Sequence, residues 1–445
     1  MNKIWTLCLA VAALLQIPAT TEAKQWTLKN CIDYALTNNI SLKKSILQHQ
    51  NATEDTKQSQ ASLLPSLSAA TGQNVTYRPW PQTGIGTQGY VHTSVDKTYY
   101  NGTYSVSSNW TVWNGGRNTN TVKLNKITGK QAALDSAEIA NKLIEQIAQL
   151  YVQILYSGEA IAVNKSSLET SLQNEKRGEE FVKVQKMSRA DMAQLTAKRA
   201  QDEYNVVEAE NNLRNYKRQL KQLLQITDDE AFDIDIPSTT DEMVLQTIPS
   251  LNDVYMSALN YRPEIRNAQL GIESSDLSIK IAKAGKLPTV GLNLGVGTST
   301  TSMSNYKWGT QLKNNLDFGG GVSVSIPLFD NRQTKTAVNK ALIQKQNYML
   351  DLKDKQTALY ATLEDYWLQA DNNQKRFKAA KISTQSAEES YQLLHAKFDE
   401  KLINIVELMN GKDQLMNALQ NELQAKYLTI LNMNLLKFYQ SGLFE

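Results

Sequence analysis

The chain has 445 residues, 41% hydrophobic and 20% charged, and its 47 basic and 44 acidic side chains leave a net charge of +3. So small a bias argues against a nucleic-acid partner, which calls for a strongly basic face. With two cysteines, one of them inside the leader described next, no internal disulfide is expected and packing must hold the mature fold.

Residues 1–23 read as a cleaved export signal. Lys3 gives the positive start, residues 4–17 are apolar, and Thr21 and Ala23 are the small residues before a cut ahead of Lys24. The apolar run is shorter than the ~20 residues a membrane-spanning helix needs. Cys8 leaves with the signal, Cys31 remains alone, and no lipid-attachment cysteine follows the cut, so any anchor must lie elsewhere. The mature chain has no second apolar segment long enough for a transmembrane helix.

The mature chain is written twice. Residues 28–67 lie over 251–290 with no gap, a shift of 223. Leu28, Ala35, Leu36, Leu47, Lys57, Ala61, Leu64 and Pro65 match Leu251, Ala258, Leu259, Leu270, Lys280, Ala284, Leu287 and Pro288. Each copy opens on a capping residue, Thr27 or Ser250, and each ends its helix before a Leu-Pro pair, because the residue before proline is pushed out of the helical region. Repeats of this kind set the architecture. The expected organisation is a single unit over 24–445, with repeat one at 24–226, repeat two at 250–445 and a spacer at 227–249 carrying Pro237 and Pro249.

After each Leu-Pro pair the period changes from helix to strand. Strands are expected near 66–77, 99–113, 289–298 and 318–329. Tyr100, Gly102, Tyr104, Val106, Ser108, Trp110 and Val112 alternate with small polar residues, and Val290, Leu292, Leu294, Val296, Val322, Val324, Ile326 and Leu328 do the same. Period two gives one apolar and one polar face. Tyr104, Trp110 and Trp113 suit the aromatic girdle of a membrane barrel with a water-filled lumen, whereas a half-buried soluble hairpin is the alternative. The export signal and the repeat favour the barrel. Membrane barrels begin at about eight strands. An open edge in lipid would leave backbone groups unpaired, so several chains must share one barrel. The polar segments at 78–97 and 298–317 then face outside the cell.

The remaining stretches are helical. Residues 118–186 and 333–401 each make an unbroken run of 69 residues, on the order of 100 Å at about 1.5 Å per residue. Return legs at 190–225 and 405–440 and ascending legs at 28–63 and 251–286 have 36 residues each, so two short helices match one long one. The long helices would leave the barrel, turn at a tip and come back as two stacked shorter ones, with the spacer at mid-height. Val206, Ala209, Leu213, Tyr216, Leu220 and Leu223 step by three and four, as do Leu143, Ile147, Leu150 and Ile154, and Leu359, Leu363, Tyr366 and Ala370. That spacing fits knobs-into-holes coiled-coil packing.

Signal, doubled helix–strand–strand–helix unit, Leu-Pro stops before strands and paired long helices together resemble the TolC-like outer-membrane efflux family over essentially all of the mature chain. The resemblance implies a mixed, mainly α fold and a homotrimer. Three chains of four strands would share a twelve-stranded transmembrane β-barrel in the cell outer membrane, with an α-helical coiled-coil tube in the periplasm. It implies a passive exit duct of a tripartite efflux or type I secretion system, with a periplasmic adaptor (membrane fusion) protein, an inner-membrane pump and outer-membrane lipid as partners. Drug, metal-ion, dye or polypeptide cargo would all fit. The competing reading is an exported coiled-coil scaffold or adhesin without a pore.

Near the turns the repeats align again with a shift of 216. "MSRADMAQ" at 187–194 lies over "INIVELMN" at 403–410, and Asp191 meets Glu407. By resemblance, Glu407 and Asn410 stand at the channel constriction and Asp191 is the first-repeat counterpart. Rings of carboxylates favour cations. A tyrosine and an arginine that often lock the family's aperture are here Phe398 and Ile403, which implies closure by packing. The turns Met187, Ser188, Arg189, Ala190 and Leu402, Ile403, Asn404, Ile405 are the expected adaptor-docking tips. The bland reading treats the acids as solvated helix residues. His49, His92 and His395 are scattered, and no metal cluster, phosphate loop, cofactor motif or catalytic pair stands out. No enzyme is expected, and transport energy must come from a partner.

Overall fold

The computed structural model describes residues 25–80, 97–227, 232–237, 239–442 and 444. The expected leader at 1–23 lies outside them, as does most of the 78–97 loop. In chain order the elements are β1 (Gln25–Trp26), α1 (Leu28–Asn38), α2 (Ile40–Ala61), β2 (Ser66–Tyr77), β3 (Thr98–Trp113), α3 (Arg117–Lys183) and α4 (Arg189–Leu224). Then follow β4 (Asp233–Ile234), α5 (Asp241–Val244), α6 (Leu251–Tyr261), α7 (Pro263–Lys283), β5 (Thr289–Thr301), α8 (Trp308–Asn314), β6 (Asp317–Ser325), α9 (Gln333–Asp399) and α10 (Ile405–Ser441). Among the described residues no helix is long and apolar enough to cross a membrane.

The duplication is visible in the boundaries. Helices α3 and α9 both have 67 residues and start 216 positions apart; α4 and α10, of 36 and 37 residues, also start 216 apart. The expected ascending legs are each broken, after 11 residues, at positions related by the other shift, 223. Arg262 is extended (φ −71°, ψ 127°) because Pro263 follows it. Asn39 is extended for another reason: its Oδ1 accepts from the N–H groups of Ser41 and Leu42 and so starts α2, while its Nδ2 donates to the Leu223 carbonyl at 3.1 Å.

The chain forms two compact units, one of residues up to 43 with 139–261 and 360–445, the other of 44–138 and 262–359. The first has a core of Trp26, Cys31, Ala35, Ile147, Tyr151, Ile154, Leu220, Leu224 and Tyr427. There β1 and β4 pair in parallel, with Trp26 opposite Ile234. The Cys31 thiol is fully buried, and burial pushes its pKa up to about 12, so it is packed and unreactive. The seam residues read from the sequence are buried or half-buried throughout.

The second unit carries a four-stranded antiparallel sheet in the order β2-β3-β5-β6. The register places Leu67, Ala69, Val106, Leu292, Leu294, Val296, Phe318, Val322 and Val324 on one face. The other face holds serine, threonine, asparagine, glycine and alanine, with Tyr99 and Asp317 as exceptions. Simple alternation puts Val112 on the apolar face, but a bulge between Thr111 and Trp113 resets the phase and sets Trp113 opposite Val290 instead. Strand β6 stops at Ser325, short of 329, since Pro327 cannot donate to a ladder. The outer edges of β2 and β6 have no partner strand among the described residues.

If the apolar face meets lipid, Leu292→Arg should cost about 2–4 kcal/mol. It should strip the heat-resistant folded species from membrane fractions on gels, while Thr103→Arg on the opposite face should leave that species in place.

Candidate functional site at the helical tips

Two residues past the end of each long helix stands a left-handed non-glycine residue, Gln185 (φ 58°) or Lys401 (φ 61°), again 216 apart. The next helix begins on a polar cap. Ser188 Oγ accepts from the Asp191 N–H at 3.0 Å and donates to Asp191 Oδ2 at 2.8 Å. Asn404 Oδ1 accepts from the Glu407 N–H at 2.9 Å. Both acids thus occupy the third helical position, where the helix dipole favours a negative charge. Asp191 is half-buried and engaged in its own cap, whereas Glu407 and Asn410 are exposed on one side of α10. The sequence reading placed all three at one constriction; within the chain only Glu407 and Asn410 share an open face.

Beneath the turns Leu195, Phe398, Ile405 and Leu408 form a buried core, with Met187, Met192, Tyr391, Leu394, Ile403 and Met409 packed on it. Phe398, assigned by resemblance to the constriction with closure by packing, is buried inside the tip, and Ile403 packs on the same core. Ile405, assigned to the docking surface, is only 3% exposed. The exposed tip residues are Ser188, Arg189, Ala190, Leu402 (73% exposed) and Asn404.

A compensated size exchange lets the hairpins close tightly. A Cβ on Gly178 of α3 would lie 2.5 Å from Leu195 Cδ1 of α4, and one on Gly411 of α10 would collide with Leu394 Cδ1 of α9. Positions 178 and 394 are repeat equivalents, as are 195 and 411. One hairpin therefore puts glycine on the outgoing helix and leucine on the return, and the other reverses them.

The ionic ties between repeats lie where no sequence pattern marks them. Lys412 of α10 donates to Asp202 Oδ2 of α4 at 2.7 Å, and to the Ser167 carbonyl and Ser171 Oγ of α3 at 2.6 Å each. Ser171 Oγ donates onward to Asp202 at 2.6 Å. The Lys412 and Asp202 side chains are 5% and 4% exposed. Lys198 bridges Asp202 (3.3 Å) to Asp413 (2.5 Å). Burial alone would raise the Asp202 pKa, but hydrogen bonds from Lys412 and Ser171 and the two lysine charges outweigh it and hold the carboxyl below its ordinary value. Nearer the turn Arg177 of α3 pairs with Asp399 of α9, which also meets His395 Nδ1 at 3.4 Å. Beyond Asp202 the three helices part around a polar cavity of 270 Å³ lined by Asn164, Asn205 and Gln420 among others. Among the described residues no group of three or more His, Cys, Asp and Glu could hold a metal.

A sheet with one apolar and one nearly uncharged polar face, together with paired helical hairpins ending in capped acidic turns, has the make-up of a membrane β-barrel protein with a helical extension. The comparisons agree. The family model described as outer membrane efflux protein matches residues 31–224 and 254–438, one segment in each repeat, and the chain belongs to that family. It is similar to the toxin and drug export protein A of Aggregatibacter actinomycetemcomitans, with 22% identity over 95% of this chain and 88% of the relative. Among solved structures it resembles CusC, with a TM-score of 0.79 and 15% identity over 93% of this chain and 91% of the other. It also resembles the outer membrane protein VceC of Vibrio cholerae, with a TM-score of 0.78 and 17% identity over 94% and 97%. The fold is the mainly α, TolC-like one, and the protein is an outer-membrane efflux channel with its helical part in the periplasm, in a family of channels rather than enzymes.

Lys412→Met leaves buried Asp202 with only the more distant Lys198 and should cost about 3–5 kcal/mol, whereas the double change to Met and Leu should recover most of it. Circular-dichroism melts in detergent read this. Because the Asp202 pKa is depressed in the folded state, the carboxylate's contribution is present above about pH 4 and is lost as pH falls through the lower folded-state value. In the same melts Gly411→Ala should destabilise the tip by about 1–3 kcal/mol, and Leu394→Ala should restore it.

Proposed function

We propose that three copies of this chain close one twelve-stranded barrel and stack their helical hairpins into a tube that serves as the passive outer duct of a tripartite efflux or type I secretion system. The carrying observation is the sheet: among the described residues it has four strands, two unpaired edges and one largely apolar face. Unpaired edges cannot stand in hydrocarbon, and four strands cannot close alone. A scaffold or adhesin without a pore would leave a large apolar patch in water. The nearly uncharged second face suits a lumen that passes varied cargo without trapping it. The relative named for toxin and drug export supports cargo of that breadth.

The periplasmic mouth is formed by α10, with Glu407 and Asn410 of each copy lining it and Asp191 supporting the neighbouring turn. Opening parts the hairpins of each subunit, so Lys412–Asp202 and Arg177–Asp399 are ties that opening strains. The exposed turns, Ser188, Arg189, Ala190, Leu402 and Asn404 with half-buried Met187 and Ile403, dock a periplasmic adaptor, through which an inner-membrane pump supplies the energy.

Purified protein in planar bilayers tests this. The expected result is a trimer with a small cation-preferring current that grows in Asp202→Asn. Glu407→Lys should shift the reversal potential toward anions. A monomer, or silence in Asp202→Asn as well, sinks the reading.

A further inference from the structure

We infer that the segment between β5 and β6 is a membrane-interface anchor. In it α8 lies on the lipid side of the sheet at its outer rim, with Trp308 and Tyr306 in the headgroup layer and Lys307 and Lys313 paired with phosphates of anionic membrane lipid. This rests on the apolar face of the sheet meeting lipid.

Strand β6 begins at Asp317, opposite Gly297, so the last residues of β5 have no β6 partner. Side chains of the intervening segment replace it. Gln311 Oε1 accepts from the Thr301 N–H at 2.7 Å, and Asn315 Nδ2 donates to the Ser299 carbonyl at 2.7 Å. Those two backbone groups would otherwise be bare at the membrane boundary. Gln311 is 6% exposed and also donates from Nε2 to the Tyr306 carbonyl at 2.7 Å. The segment is pinned as a folded piece of the sheet's rim.

Its side of the sheet is fixed by register. Thr298 pairs with Tyr104, two residues on from the Val296–Val106 pair, so both lie on the apolar face. Thr298 Oγ1 donates to the Leu312 carbonyl at 2.8 Å. Trp308 Nε1 donates to the Tyr104 hydroxyl at 3.4 Å, and their rings meet edge-on with centroids 6.1 Å apart. The same hydroxyl accepts from Gln73 Nε2 at 2.7 Å. So α8 covers the apolar face where the β5 run of Val290, Leu292, Leu294 and Val296 gives way to Thr298 and Thr300. That change marks the end of the hydrocarbon zone.

At this level Trp308 is 60% and Tyr306 65% exposed, and Lys307 and Lys313 are exposed beside them. Amphipathic rings with a polar tip belong at the headgroup boundary, and flanking lysines extend toward lipid phosphates. An aqueous loop would gain nothing from holding an indole and a phenol outward on the lipid side. The sequence alone sends residues 298–317 outward as a polar loop; the fold turns α8 back onto the sheet.

The test uses the assembled full-length protein in phosphatidylcholine vesicles, with and without phosphatidylglycerol. The lipids carry bromine either near the headgroup or near the chain end. The fluorescence lost in Trp308→Phe reports Trp308, and that lost in Trp113→Phe reports the other end of the sheet. Shallow bromine should quench Trp308 more strongly than deep bromine. Phosphatidylglycerol should co-purify less with a Lys307→Gln/Lys313→Gln variant. Quenching of Trp308 by aqueous iodide but not by bromolipid would overturn the anchor, as would protection from both, which would mean that a neighbouring copy covers α8. Unchanged phosphatidylglycerol retention in the lysine variant would overturn the phosphate pairing. If Trp113 also escapes bromolipid, the membrane sheet itself fails; if Trp113 is quenched and Trp308 is not, only the anchor does.

Discussion

Backbone amide and carbonyl groups cannot be left unpaired in hydrocarbon, and the organisation of this chain follows from that constraint. Each unsatisfied group costs several kcal/mol, so a four-stranded sheet with two open edges is viable in lipid only as part of a larger closed ring. The chain meets the constraint locally as well. Where β6 falls short of β5, the amides of Gln311 and Asn315 take over the ladder. In the proposed ring the apolar face meets lipid, and the opposite face, small and nearly uncharged, is the one left for water.

In the periplasmic part the governing constraint is close packing between long helices, and duplication both helps and hinders it. Identical lengths follow directly from the repeat, as the two 67-residue helices show. Two identical tips, however, would make two identical contacts. The Gly178–Leu195 and Leu394–Gly411 exchange breaks that symmetry while conserving the volume of each pair. The buried Lys412–Asp202 pair has no repeat counterpart either, because Lys412 aligns with Thr196 and Asp202 with Ala418. At these positions the two hairpins of one chain therefore make different contacts.

Much of this was legible in the sequence because it is periodic. Strand alternation, helix length and the Leu-Pro stops each repeat often enough to be read. What was missed is aperiodic. The Val112 bulge is one residue that shifts a phase. The break at 262 was signalled by Pro263 but masked by an apolar pattern that continues through it, and the break at 39 rests on one asparagine capping the next helix. Lys412 looks like any other lysine on a charged helix, and its acid partner lies 210 residues away. Phe398 comes from alignment with a family pattern and Ile405 from the apolar character of its turn; both fix position along the chain but not which way a side chain turns, and in the folded chain both are buried.

The same distinction explains why the acids of the tip read ambiguously. Asp191 and Glu407 satisfy a local rule, an acid three residues after a capping side chain, and that rule alone accounts for their presence. The two carboxylates differ in their engagement: Ser188 Oγ accepts from the Asp191 N–H and donates back to Asp191 Oδ2, whereas Asn404 meets Glu407 through its Oδ1 and the backbone N–H. The Ser-to-Asn difference between the repeats therefore leaves one acid committed to its own turn and the other on an open helix face. Of the two acids that the repeated capping motif supplies, Asp191 is half-buried in its own turn and Glu407 is exposed on α10.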